Sequence, residues 1–143
     1  MSMRRFFAAA SASCLLVSCS SSPTRPSVEP VSEFVLAPGE TASVSGTGLT
    51  IGFERVVNDS RCPADAICIT AGEAEVALSV RRVGRPAEAL SLRTAESRNR
   101  AEIGDWVLSL TRLAPYPFSD HAIPAGDYRA TLRVDPVAQP ARR

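Results

Sequence analysis

The stretch Tyr128-Arg129-Ala130-Thr131-Leu132-Arg133-Val134 puts an apolar side chain at every second position. Successive side chains of an extended strand point to opposite faces, so this period buries one face of a strand and nothing else. The same period recurs in Phe34 and Leu36, in Ala42 and Val44, and in Leu49, Ile51 and Phe53 running into Val56. It returns in Ala74, Val76, Leu78 and Val80, in Leu90 and Leu92, and in Trp106, Leu108 and Leu110. Pro38-Gly39 has the chemistry of a type II turn, and Gly46-Thr47-Gly48 and Gly84-Arg85-Pro86 break the runs. Leu113 falls out of phase with Leu110, which predicts a bulge. Residues 95–102 read as a polar surface loop or one helical turn, and no segment carries a convincing helical period. The expectation is an all-β fold, an antiparallel β-sandwich or small barrel of about seven short strands. Phe53, Leu78, Trp106, Leu108, Tyr128 and Leu132 are its expected core.

The N-terminus reads as an export signal rather than as part of the domain. Arg4 and Arg5 form a positive start, and the apolar run at 6–17 is shorter than the roughly 20 residues of a membrane-spanning helix. It ends in Leu16-Val17-Ser18-Cys19, which resembles the bacterial lipobox. That resemblance implies a lipoprotein signal peptide over 1–18, lipidation of Cys19 and attachment to the membrane through the N-terminal lipid. An ordinary signal peptide cut near Ser18 is the plain alternative, and Arg4-Arg5-Phe6-Phe7 faintly resembles a twin-arginine signal. Ser20 after the cysteine favours the outer membrane, facing the periplasm, in a Gram-negative host. Residues 19–31 read as lipidated Cys19 and a flexible tether spanning on the order of 20 Å. Residues 32–136 read as a single β-domain, and 137–143 as a disordered tail.

Charge excludes more than it suggests. The 16 basic residues are all arginine; without Arg4 and Arg5, fourteen face 15 acids, a net charge near −1. That balance argues against nucleic acid, which calls for a basic stripe, and against a polybasic membrane footprint.

Cys62 and Cys68 are the two cysteines expected in the folded domain, and they lie six positions apart. In an oxidising compartment the simple reading is a structural bond closing a loop between two strands. A redox or metal site is the other reading. C-x-x-C spacing is absent, and a metal would find His121 as the domain's one histidine and no methionine there. No metal and no cofactor are therefore expected.

Ser119-Asp120-His121 looks like a triad and is not read as one, since triad members meet in space from distant positions. Residues 115–121, Pro-Tyr-Pro-Phe-Ser-Asp-His, read instead as a rigid turn with exposed aromatics. Tyr116, Phe118 and His121 make it a candidate binding tip. Asp59, Arg61 and Asp65 complete the candidate surface around the cysteines. Their plain reading is local: Asp59 capping the loop through backbone N–H groups, Arg61 paired with an acid.

Asp59-Ser60-Arg61-Cys62-Pro63, four residues, Cys68, three residues and Gly72 together resemble a largely uncharacterised family of bacterial secreted proteins and lipoproteins. The resemblance extends loosely over Val107 to Pro117 and Tyr128 to Val134. It implies an exported β-domain with Cys62 paired to Cys68, and no particular activity. Where that family usually carries an aromatic before the Ala-Gly pair, this chain has Thr70.

These readings converge on a lipid-anchored, non-enzymatic cell-envelope domain that binds a protein or an envelope component. An inhibitor of an extracytoplasmic hydrolase, a protease or lysozyme, is the alternative, because a stiff loop binds with little ordering cost.

Overall fold

The computed structural model describes residues 27–28 and 30–138, and it is all-β. In chain order the strands are β1 (Ser27–Val28), β2 (Glu33–Leu36), β3 (Thr41–Val44), β4 (Leu49–Asp59) and β5 (Ala74–Arg82). They continue with β6 (Ala87–Arg93), β7 (Arg100–Ile103), β8 (Trp106–Ala114) and β9 (Arg129–Pro136). A five-stranded sheet, β1-β3-β4-β5-β6, packs against a four-stranded sheet, β2-β9-β8-β7. Neighbours run antiparallel except β1, which lies parallel to β3. This is a sandwich-like arrangement, the first of the two all-β architectures that the alternation predicts.

The alternation decides which faces meet. β5 is buried at Ala74, Val76, Leu78 and Val80 and β9 at Ala130, Leu132 and Val134, each from a different sheet. Phe53 and Ile51 of β4 lie between the two layers with no exposure. Each such side chain contributes roughly 1.5–3 kcal/mol by leaving water.

Bulges repair the phase where the sequence slips. In β8, Thr111 is the extra residue between Leu110 and Arg112, and this returns Leu113 to the core. In β4, the register against β5 shifts at Glu54, which accounts for the step from Phe53 to Val56, and again at Val57.

Three expectations need correction. Trp106 is only half-buried, because it opens β8 at the rim of the sandwich and packs against the core from one side. Residues 95–102 hold the expected helical turn at Glu96–Arg98 but also, against expectation, part of β7, which pairs with β8. The strands of four residues or more number eight among the described residues, in line with the expected count of about seven. Ser27 and Val28, expected in the tether, pair with Ser43 and Val44. A two-residue strand is too short to display a period. Val31 and Val137 are also tied by backbone bonds, to Val134 and Asp105 respectively. The signal peptide at 1–18, Cys19, the tether up to residue 26 and residues 139–143 of the expected tail lie outside the described residues.

Phe53→Ala is expected to destabilise the domain by about 3–5 kcal/mol in urea unfolding. Val35→Thr on the exposed face of edge strand β2 is expected to change it by less than about 0.5 kcal/mol.

Candidate functional site

Two loops that lie far apart in sequence dock on one another at one end of the sandwich. One joins β4 to β5 and carries the disulfide; the other follows β8 and holds residues 115–121. The Ala64 N–H donates to the Pro117 carbonyl at 2.9 Å. Asp65 accepts from the Ser119 N–H at 2.9 Å and from its hydroxyl at 2.5 Å. Those bonds hold the Asp65 carboxyl below the usual carboxylate range, the Ser119 hydroxyl contributing most. Within the second loop Phe118 and His121 form an isolated bridge and stack their rings at 6.1 Å.

Beneath this junction sits a buried ion pair. The Arg61 guanidinium donates from Nε and Nη2 to both oxygens of Asp59, at 2.8 and 2.6 Å. Asp59 also accepts the Arg61 backbone N–H at 3.2 Å and the Tyr128 hydroxyl at 3.1 Å. Arg61 further donates to the carbonyls of Leu113, at 2.7 Å, and Pro115, at 2.9 Å. Its guanidinium carbon lies 5.1 Å from the centre of the Tyr116 ring, in cation–π range. The side chains of Arg61 and Asp59 are 6% and 9% exposed. Burial opposes the charge on Asp59, but the hydrogen bonds and charge of Arg61 outweigh it, so its pKa falls below the ordinary value. Burial first, and then the Asp59 charge, push the Tyr128 hydroxyl up. Neither group is poised as an acid or base near neutral pH.

The cluster staples the sheets together. Asp59 and Arg61 belong to the β4–β5 end of one sheet; Leu113 and Tyr128 belong to β8 and the start of β9 in the other. β7 flanks β8 only over Trp106–Ser109, and Arg61 takes up carbonyls on the stretch that β7 leaves uncovered.

Cys62 and Cys68 are bonded, as expected, with their Cα atoms 5.9 Å apart. A ring this short stabilises the fold by about 2 kcal/mol through the unfolded chain. Backbone bonds from Ser60 to Glu73 and from Cys62 to Ala71 close the stem of this loop. Gly72 makes that stem possible: it adopts φ +64°, and a Cβ there would stand 1.7 Å from the Ser60 carbonyl oxygen.

The residues read from sequence as a binding surface therefore divide. Tyr116 and Phe118 stand about half exposed at the tip. Asp65, Asp120 and His121 are exposed there as well. Ser119 bonds Asp65 while the His121 Nδ1 meets Asp120, so the three consecutive residues do not converge as a triad. Asp59 and Arg61 lie underneath: Asp59 accepts the Arg61 N–H and pairs with its guanidinium, as their plain reading expected, but both also bond to the opposite sheet, which that reading did not include.

Two residues of the tip carry no signal in that reading. Ile67 and Ile69, on either side of Cys68, are completely exposed at 104% and 105%. Two β-branched apolar residues inside a short polar loop, with no neighbouring strand to bury them, are the sign that marks them.

Behind the tip an open cleft of about 810 Å³ runs between the sheets, lined by Arg61, Gly72, Glu96, Leu110, Leu113 and Tyr116 among others. A shallower one of about 400 Å³ includes Asp59, His121 and Tyr128. Among the described residues no three acidic, histidine or cysteine side chains are placed to hold a metal ion.

Arg61→Ala leaves Asp59 buried without its counter-ion and is expected to destabilise the domain by about 3–5 kcal/mol in urea unfolding. Gly72→Ala is expected to lose at least about 2 kcal/mol by the same measurement. Folding makes Asp59 a stronger acid, so its contribution is complete above its unfolded pKa of about 3.9. That contribution is lost as pH falls through the lower folded value. Urea midpoints at pH 7 and pH 3 are therefore expected to diverge more for the natural chain than for Asp59→Asn. The chain matches no protein-family model, no curated protein and no solved structure.

Proposed function

We propose that this protein is a non-enzymatic binding module of the cell envelope, held at the membrane through lipidated Cys19, whose tip engages a protein partner. The observation that carries this reading is the pair Ile67 and Ile69, wholly exposed on a loop fixed at three points. Those points are the Cys62–Cys68 bond, the Ala64–Pro117 bond and the Asp65–Ser119 bonds. Exposed β-branched residues on a mobile loop lose freedom when bound; here the fold has already restricted them. Tyr116 and Phe118 add aromatic surface of the kind enriched at interfaces, with the Asp65 and Asp120 carboxylates beside them.

The same stiffness supports a second reading, insertion of the tip into the cleft of an extracytoplasmic hydrolase as an inhibitor. In both readings Arg61 and Asp59 position the loops and do not touch the partner.

In-cell crosslinking through a photoreactive residue at Thr70, followed by affinity recovery, tests the module. The natural chain is expected to yield one predominant adduct. Ile67→Ser combined with Ile69→Ser is expected to weaken that adduct at least tenfold with an unchanged urea midpoint; Tyr116→Ala combined with Phe118→Ala is expected to weaken it as far with a somewhat lower midpoint, because Tyr116 lies over Arg61. An adduct that survives both pairs of changes removes the tip from the interaction.

A further inference from the structure

Cys68 is the exposed half of the disulfide, whereas Cys62 is half-buried next to Arg61. Thiol–disulfide exchange begins when a thiolate reaches a disulfide sulfur, and access decides which sulfur is attacked. On both sides of Cys68, Ile67 and Ile69 offer apolar surface that no part of the described chain covers. A small reductant has no use for such surface, whereas a protein carrying a dithiol in an apolar groove does.

The bond lies outside the packed sandwich. No residue from Cys62 to Gly72 belongs to the hydrophobic core. The stem bonds Ser60–Glu73 and Cys62–Ala71 lie between the ring and the sheet, and the Asp59–Arg61 pair lies below them. The ring also has a place for the proton that reduction adds. The Cys62 Sγ is 3.6 Å from the Ala66 carbonyl oxygen and 3.7 Å from that of Pro63, both acceptors for a thiol.

We propose that the Cys62–Cys68 bond is a thiol–disulfide exchange site, attacked at Cys68 by a protein dithiol that lands on Ile67 and Ile69, and that its opening loosens the tip. The inference rests on the tip being a contact surface and adds the chemistry that regulates it. One thiolate of the partner attacks the Cys68 Sγ and forms a mixed disulfide. The Cys62 sulfur leaves with the bonding pair and takes up a proton. The partner's second thiol then attacks its own sulfur in the mixed disulfide and releases Cys68 as a thiol. Two electrons and two protons pass to the domain, and the partner ends as a disulfide.

The test uses the purified oxidised protein, with dithiothreitol as the small dithiol and reduced thioredoxin as the protein dithiol. Thiols are trapped by alkylation and counted by mass, while circular dichroism and Trp106 fluorescence report the fold. Both reagents are expected to reduce the bond without denaturant and with the β spectrum retained. Ile67→Ser combined with Ile69→Ser is expected to slow thioredoxin about tenfold and dithiothreitol less than twofold. Cys62→Ser, keeping Cys68, is expected to form a mixed disulfide with oxidised glutathione about tenfold faster than Cys68→Ser. A bond that yields only in urea, a reduced chain that unfolds, equal slowing of both reagents, or a faster Cys62 overturns the proposal. Failure of the binding module looks different: exchange proceeds, but the oxidised tip captures no partner.

Discussion

The buried pair of Asp59 and Arg61 is the interaction on which the loop end of this domain depends. A carboxylate and a guanidinium removed from water are costly unless their remaining hydrogen-bonding capacity is used. Here it is used in full view of both sheets: Asp59 takes the Tyr128 hydroxyl, and Arg61 supplies the carbonyls of Leu113 and Pro115. The pair therefore does more than neutralise itself. It joins the end of β4 to the ends of β8 and β9 at a place where the apolar core gives out. Arginine suits the position because its planar fork can serve two oxygens of Asp59 and two carbonyls at once, which a lysine ammonium does less well.

From that pair the tip follows by short steps. Arg61 fixes the backbone just ahead of Cys62, and its contact with Pro115 fixes the chain just ahead of Tyr116. The two loops start from one charged knot, so their outer parts meet, and the bonds from Ala64 to Pro117 and from Asp65 to Ser119 complete the junction. The disulfide and the left-handed Gly72 then narrow the first loop until Ile67 and Ile69 have nowhere to go but outward. Apolar side chains in that situation stay exposed because the loop cannot fold back over them. The cost of their exposure is offset by the stability of the rest of the structure.

Much of the fold was legible in the chain because period-two alternation is a local property. Leu78, Leu108 and Leu132 announce their burial through their own neighbours, and the slip at Leu113 announces the Thr111 bulge. The failures have equally local causes. Ser27–Val28 and Arg100–Ile103 are short, and polar residues occupy half of each, so no period rises above the noise. Trp106 has the apolar character of a core residue, but its place at the rim depends on where the opposite sheet ends.

The sequence by itself determined that this chain forms half-buried strands and that a short loop carrying Cys62 and Cys68 joins two of them. Each is a statement about residues within a dozen positions of one another, where side-chain period acts directly. Only the tertiary structure decided that Arg61 meets Leu113 and that Asp59 meets Tyr128, partners 52 and 69 positions away. It also decided that two loops form one surface and that Ile67 and Ile69 crown it. Those contacts follow from which strands sit side by side and which sheet faces which, and that arrangement minimises the exposed apolar area of the whole chain rather than of any one segment.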